Sequence, residues 1–401
     1  MSIRTPKGPG VTEPRGFRAA GVAAGLKAEA KDVALIVNDG PLHHAAAVFT
    51  TNKVAAAPVL WSRQVIADGR ADAVVLNSGG ANACTGAPGF ADTHTTAEEV
   101  AGKLTGTGMD VSATDVLVCS TGLIGERLDM PALLSGVEAA VGTLDAGDEA
   151  GTAAAQAIMT TDSVHKTATA QGSGFVIGGM AKGAGMLAPG MATMLSVITT
   201  DAAISQSDLD AALREAVRIS FNRADSDGCM STNDTVIALA SGAHPEADES
   251  GADLAEFQAA LNEVCQDLAR QLISDAEGAE HEIAIRTVNA VTEEQAEEAG
   301  RAVARSNLFK TAIFGRDPNW GRILSAVGTT GAEFDPTTID VAVNGVWICR
   351  AGGIGEDREL VDLSGREVEV VIDLKSGEAE ATILTNDLTH AYVHENSAYS
   401  T

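Results

Sequence analysis

Aromatic residues are scarce in this 401-residue chain, at 3%. Ala, Val, Leu and Ile must therefore fill whatever interior it has. Basic residues are few as well: 27 Lys and Arg face 55 Asp and Glu, a formal net charge of −28 at pH 7. Such a surface repels phosphate backbones and anionic lipid, which argues against nucleic acid or a membrane as partner. The five cysteines (Cys84, Cys119, Cys229, Cys265 and Cys349) are odd in number and form no CxxC pair. Neither a disulfide framework nor a zinc knuckle is indicated, and most of these thiols are expected to be buried and inert. Of the eight histidines only His390 and His394 have helical ligand spacing, and no Glu lies between them. They read as a polar surface turn, and no metal is expected. No apolar run reaches the ~18–20 residues that span a bilayer. The N-terminus MSIRTPKGPGVTEPRG lacks the apolar centre of a signal peptide, so the cytoplasm is the expected location.

What remains is an ordinary globular mix, 45% apolar and 20% charged, long enough for two packed lobes. Short apolar runs at Val33–Val37, Ala46–Thr50, Ala73–Leu76 and Val116–Cys119 end in small polar turns. Runs of that length suit strands buried on both faces, and their ends offer backbone N–H groups to a ligand. Leu209, Ala212, Leu213, Ala216 and Val217 predict a helix over 205–220, with Ser205 or Ser207 as N-cap. Leu254, Phe257, Leu261, Val264, Leu268 and Leu272 predict another over 252–274. Asn344-Gly345 predicts a hairpin turn between Val341–Val343 and Val346–Ile348. Glu367–Leu374 and Ala379–Leu384 read as two further strands joined by a Lys-Ser-Gly turn. The expected division is a core over 1–280 and a smaller α/β domain over 281–401.

The segment richest in chemistry is AKGAGMLAPGMATMLSVITTDA, residues 181–202. A glycine- and proline-rich approach leads into an apolar run with one hydroxyl at its start, Thr193, preceded by the small residue Ala192. On its own this reads as a strand threonine. The segment nevertheless resembles the self-cleavage site of the ornithine acetyltransferase (glutamate N-acetyltransferase) family. Further matches run along the chain: SGGANACTG at 78–86, STG at 120–122, IMTTD at 158–162, SDAEG at 274–278, DPNWGR at 317–322 and the terminal NSAYST. Gly80 and Ala276 depart from the pattern, where Asn and Gly are expected. DPNWGR reads as structural: Pro318 stiffens a turn, Trp320 packs, and Arg322 is expected to meet a carboxylate.

The resemblance implies a layered αββα core of the N-terminal-nucleophile kind and cleavage into an α chain, 1–192, and a β chain from 193. It implies Thr193 as nucleophile, Thr121 and Gly122 as oxyanion hole, and substrate contacts from Thr160, Lys182, Thr193, Glu277, Asn396 and Thr401. The implied reaction moves acetyl from N-acetylornithine to glutamate in arginine biosynthesis, in an α2β2 assembly. No cofactor is needed, and acetyl-CoA is an optional donor. The residues suit that chemistry. A threonine hydroxyl needs a base, and its own α-amine, freed by cleavage, has a reference pKa of ~7.7–8.0. Lys182 can neutralise a carboxylate and Glu277 can meet an ammonium. Rival expectations are a related N-terminal-nucleophile aminopeptidase or amidase, a secondary-metabolite acetyltransferase, and a binding module that kept the fold.

Overall fold

The computed structural model describes residues 3–28, 30–186, 194–246 and 251–398. Ala192, Thr193 and Thr401 lie outside the described residues. Three sheets organise the rest. The first contains β1 (Phe17–Val22), β2 (Val33–Asn38), β4 (Ala73–Ser78) and β5 (Val116–Thr121), in the order β1-β2-β4-β5. The second contains β3 (His44–Phe49), β6 (Lys166–Gly172), β7 (Phe175–Lys182), β8 (Leu195–Thr200) and β9 (Thr235–Ala240), in the order β3-β9-β8-β7-β6. Only the β4–β5 and β8–β9 pairs in these two sheets run parallel.

Side-chain alternation stacks the two sheets. Leu195 and Val197 of β8, with Ile237 and Leu239 of β9, join Leu35, Val75 and Leu117 of the first sheet in one core. Their neighbours Ile198, Val236 and Ala238 point the other way, into a second core with two helices, α5 (Gln206–Ile219) and α6 (Leu254–Ser274). The far face of the first sheet is covered by α1 (Ala57–Val65), α2 (Gly86–Gly106), α3 (Met130–Gly142) and α4 (Asp148–Ala157). The result is the expected αββα layering.

Both expected helices of this core are present with small corrections. Ser205 accepts from Asp208 N–H and so is the N-cap of α5. Helix α6 starts two residues later than expected, because Asp253 caps it, and Leu254 is exposed rather than buried. Cys119, Cys265 and Cys349 are buried, and burial pushes the Cys119 thiol up to about 12, while Cys84 and Cys229 are exposed.

The third sheet holds β10 (Glu282–Ala290), β11 (Asp340–Val343), β12 (Val346–Arg350), β13 (Gly353–Ile354), β14 (Glu367–Asp373) and β15 (Ala379–Asn386), in the order β13-β12-β11-β14-β10-β15. It shares its own core with α7 (Glu293–Ala304), α8 (Asn307–Phe314) and α9 (Trp320–Val327). The β11–β12 hairpin turns at Asn344 and Gly345, both at positive φ, as a type I′ turn demands. The strands joined by Lys375-Ser376-Gly377 are present but are not sheet neighbours: β10 lies between them. The connection caps the end of β10 instead, with Ser376 and Gly377 N–H donating to the Asn289 carbonyl. Asn319 caps α9 and Trp320 packs on the third core, but Arg322 donates to the Leu308 carbonyl rather than to a carboxylate. The last described element, α10 (His390–Ala398), is a helix where a surface turn was expected around His390 and His394. Among the described residues no group of three metal-ligating side chains occurs.

Candidate active site

Four strand ends meet at one edge of the stacked sheets. Strand β5 finishes at Thr121 and β7 at Lys182, while β8 and β9 begin at Leu195 and Thr235. Lys182 pairs with Leu195 and Leu195 with Thr235, so these ends are in register. The two sheets touch here through Lys182 Nζ, which donates to Thr121 Oγ1 over 3.3 Å. Both side chains are buried. Because Thr121 Oγ accepts from the lysine, its own proton is left for another acceptor.

Gly122 follows at φ 130°, outside the range of other residues. A Cβ there would sit 2.6 Å from Gly80 N, so only glycine lets the STG turn cross the SGG turn. Gly80 N–H donates to the Thr121 carbonyl, and Asn233 clamps the two turns by donating to the Ala81 and Ser120 carbonyls over 2.6 and 2.8 Å.

Behind Lys182 lies a buried charge cluster whose members no sequence pattern groups. Lys166 Nζ donates to Asp162 Oδ1 at 2.7 Å and to Asp275 Oδ2 at 2.6 Å. Asp162 also accepts from Gly183 N–H at 2.6 Å and from Thr160 N–H at 3.0 Å. Burial alone would raise the Asp162 carboxyl, but Lys166, Lys182 and these N–H donors hold it below the usual carboxylate range. Burial pulls the Lys182 ammonium down, against Asp162 and Glu277. Asp162 thereby ties the residue after Lys182 to the loop that carries Thr160.

Glu277, half-buried just past α6, accepts from Thr161 Oγ1 on one oxygen and from Asn396 Nδ2 on the other, each at 2.9 Å. Its backbone N–H donates to the Ala184 carbonyl. A Cβ on Gly185 would lie 2.5 Å from its carboxylate, so the glycine makes room for it. Thr389 Oγ1 donates to the Gly278 carbonyl, which seats α10 against this turn and brings Asn396 to Glu277. A cleft of about 340 Å³ opens alongside, lined by Asp227, Lys310, Asp387 and Tyr392 among others. Asp227 accepts from Met186 N–H, and the Tyr392 carbonyl accepts from Asn396.

Thr121, Gly122, Thr160, Lys182, Glu277 and Asn396, scattered over 276 positions of sequence, thus fall around one edge of the core. Met194, the residue bonded to Thr193, lies there too: its N–H donates to Asp234 Oδ1 at 3.0 Å and its carbonyl accepts from Thr235 N–H. Asp162 closes the IMTTD match without having been given a role, and no spacing links Asn233 and Asp234 to the others.

The chain matches the ArgJ family over residues 18–401. It is 59% identical over 392 residues to the arginine biosynthesis bifunctional protein ArgJ of Thermobifida fusca, covering 98% of this chain and all of that one. It is 59% identical over 391 residues to the protein of the same name from Streptomyces coelicolor, covering 97% and 99% of the two chains. Among solved structures, it is similar to the ornithine acetyltransferase of Mycobacterium tuberculosis complexed with ornithine, at 57% identity and a TM-score of 0.42. That likeness covers 45% of this chain and 94% of the other. The chain belongs to the ArgJ family and is an enzyme of arginine biosynthesis.

Proposed function

We propose that the chain cuts itself between Ala192 and Thr193, and that Thr193 then carries acetyl from N-acetylornithine to glutamate. The observation that carries this reading is the meeting of Thr121, Gly122 and Lys182 at the sheet edge where the chain re-enters at Met194. In the cut, Thr193 Oγ attacks the Ala192 carbonyl, the acyl group shifts from nitrogen to oxygen, and water hydrolyses the ester. The freed amine then acts as base to its own hydroxyl. N-acetylornithine acylates Thr193 and ornithine leaves with the amine's proton. Glutamate attacks the ester and departs as N-acetylglutamate.

Each step passes through a tetrahedral oxyanion. The Thr121 hydroxyl, with its proton uncommitted to Lys182, and the Gly122 N–H at its crossed turn are suited to receive it. Glu277 keeps lone pairs on both oxygens for the ornithine ammonium, while Lys182 can neutralise an α-carboxylate. Thr160, Asn396 and Thr401 complete the proposed substrate contacts. The reaction needs no cofactor. Acetyl-CoA as a second donor to the same threonine, an α2β2 assembly of the fragments and a cytoplasmic location belong to the same proposal. No helix among the described residues is long and apolar enough to cross a membrane.

The test is an assay of purified protein with N-acetylornithine and glutamate, repeated with acetyl-CoA in place of N-acetylornithine. N-acetylglutamate and ornithine in equal amounts support the reading. Hydrolysis of peptides without transfer would point to the aminopeptidase alternative.

A further inference from the structure

Lys27 lies beside two of the turns that frame the candidate site. Asp32, buried just before β2, accepts from the Ala24, Gly25 and Lys27 N–H groups at 2.6, 3.0 and 3.0 Å, which fixes the loop between β1 and β2. Gly79, at φ 103°, gives that loop room: a Cβ there would sit 2.8 Å from the Leu26 carbonyl oxygen. Lys27 is therefore held against the SGG turn that Gly122 crosses. Its half-buried side chain reaches the IMTTD loop, where Nζ donates to the Met159 carbonyl at 2.7 Å. The N–H of that same peptide, on Thr160, donates to Asp162.

An ammonium has three N–H donors, and only one is spent there. Lys27 enters no ion pair among the described residues. Asp32 and Asp162 face it, but both are occupied, Asp32 by its three N–H groups and Asp162 by Lys166, Gly183 and Thr160. Burial pulls the ammonium down against them, a cost that an incoming carboxylate would relieve. The loop that Lys27 touches has an anion on its other side, because Thr161 Oγ1 donates to Glu277. Glu277 suits the side-chain ammonium of ornithine and repels the side-chain carboxylate of glutamate. We propose that Lys27 is a specificity-determining residue that binds the side-chain carboxylate of glutamate, the acetyl acceptor, while Lys182 serves the α-carboxylate of both substrates. This rests on the proposed acetyl transfer. The competing role is structural, an end cap on α4, since Met159 follows that helix by two residues.

The test compares full-length wild type, Lys27→Met and Lys27→Arg with glutamate and with glutamine as acceptor. Glutamine keeps the shape but not the side-chain charge. The ratio of the two kcat/KM values therefore reads the charge contact and cancels general damage to the enzyme. In Lys27→Met the preference for glutamate should shrink at least about tenfold, while kcat/KM for N-acetylornithine stays within about twofold. Lys27→Arg keeps the charge and should recover most of the preference. Lys27→Gln replaces the Met variant if that one does not fold. An unchanged ratio would overturn the proposal even in a slower or less stable variant, because an end cap cannot tell the two acceptors apart. A wild type that uses both acceptors equally overturns it too. A wild type that transfers no acetyl refutes the functional reading instead, and calorimetric titration then decides the role of Lys27. Glutamate should bind Lys27→Met at least about tenfold more weakly than wild type, with ornithine unaffected, and equal glutamate affinities overturn the proposal.

Discussion

At the scale of single residues, the proposed reaction divides the site into groups that would touch substrate and groups that hold those in place. Thr121 belongs to the first kind in our proposal. Removing one oxyanion donor costs roughly 2.7–4 kcal/mol in the transition state, so Thr121→Ala is expected to lower kcat by about 10²–10³. Self-cleavage should slow with it if one hole serves both reactions, and turnover kinetics with a gel time course read both.

Lys166 belongs to the second kind. It neutralises Asp162 and Asp275 with no exposure to solvent. Lys166→Met leaves two buried carboxyls without their cation, at a cost of about 3–5 kcal/mol. The Asp162 carboxyl is held below its unfolded value, so its stabilising contribution is present above that value and is lost as pH falls through the folded one. Without Lys166 the acid unfolding midpoint should move to higher pH, which a pH series of thermal melts measures. Thr121, Lys182 and Glu277 were legible through short motifs. Lys166 and Asp275, 109 positions apart, were not, because only the packed fold brings them together.

At the scale of elements, the buried strands were the readable part. β2, β4, β5 and β8 are buried at every position, which is what unbroken apolar runs predict, whereas β3, expected to be buried on both faces as well, is buried only at its centre. Strand β7 hid behind Gly178 and Gly179, which suggest a turn. Gly178 is required there for another reason: a Cβ would lie 1.9 Å from the Gly10 carbonyl oxygen. Helix α2 was masked by Gly, Pro and Thr in its first turns. The order of β14, β10 and β15 depends on contacts between distant segments, which local periodicity does not encode.

One of those contacts is testable. Asp387, after β15, accepts from Glu280 and His281 N–H groups and from the His281 ring at the entry to β10. The hydrogen bond to Asp387 raises the His281 imidazole above its ordinary value. Its stabilising contribution is therefore full below the unfolded value and is lost as pH rises through the folded one. Wild type should lose melting temperature across that interval relative to His281→Gln, whose curve should be flatter there.

At the scale of the whole molecule, the proposed cut falls inside a sheet. Strands β3, β6 and β7 precede Thr193, whereas β8 and β9 follow it, and the second sheet pairs β7 with β8 and β3 with β9. Arg4 adds ion pairs to Glu282 and Glu367 across the same division. Fragments 1–192 and 193–401 should therefore co-purify through size exclusion and separate only in denaturant, while Thr193→Ala stays one chain. The C-terminal helix reaches the site through Asn396, which donates to Glu277. Deleting 396–401 removes the Asn396 bond to Glu277 and should raise KM for both amino acids sharply at an unchanged melting temperature. A truncated enzyme that melts normally and keeps its KM would show that the tail takes no part in binding.

In the proposed reaction acetyl passes through Thr193. The most direct measurement is mass spectrometry of the purified enzyme after brief incubation with N-acetylornithine alone. A fragment that begins at Thr193 should carry one acetyl group, which disappears when glutamate is added. An intact chain, or a cleaved one that never shows acetyl on that fragment yet makes N-acetylglutamate once glutamate is added, would rule this out.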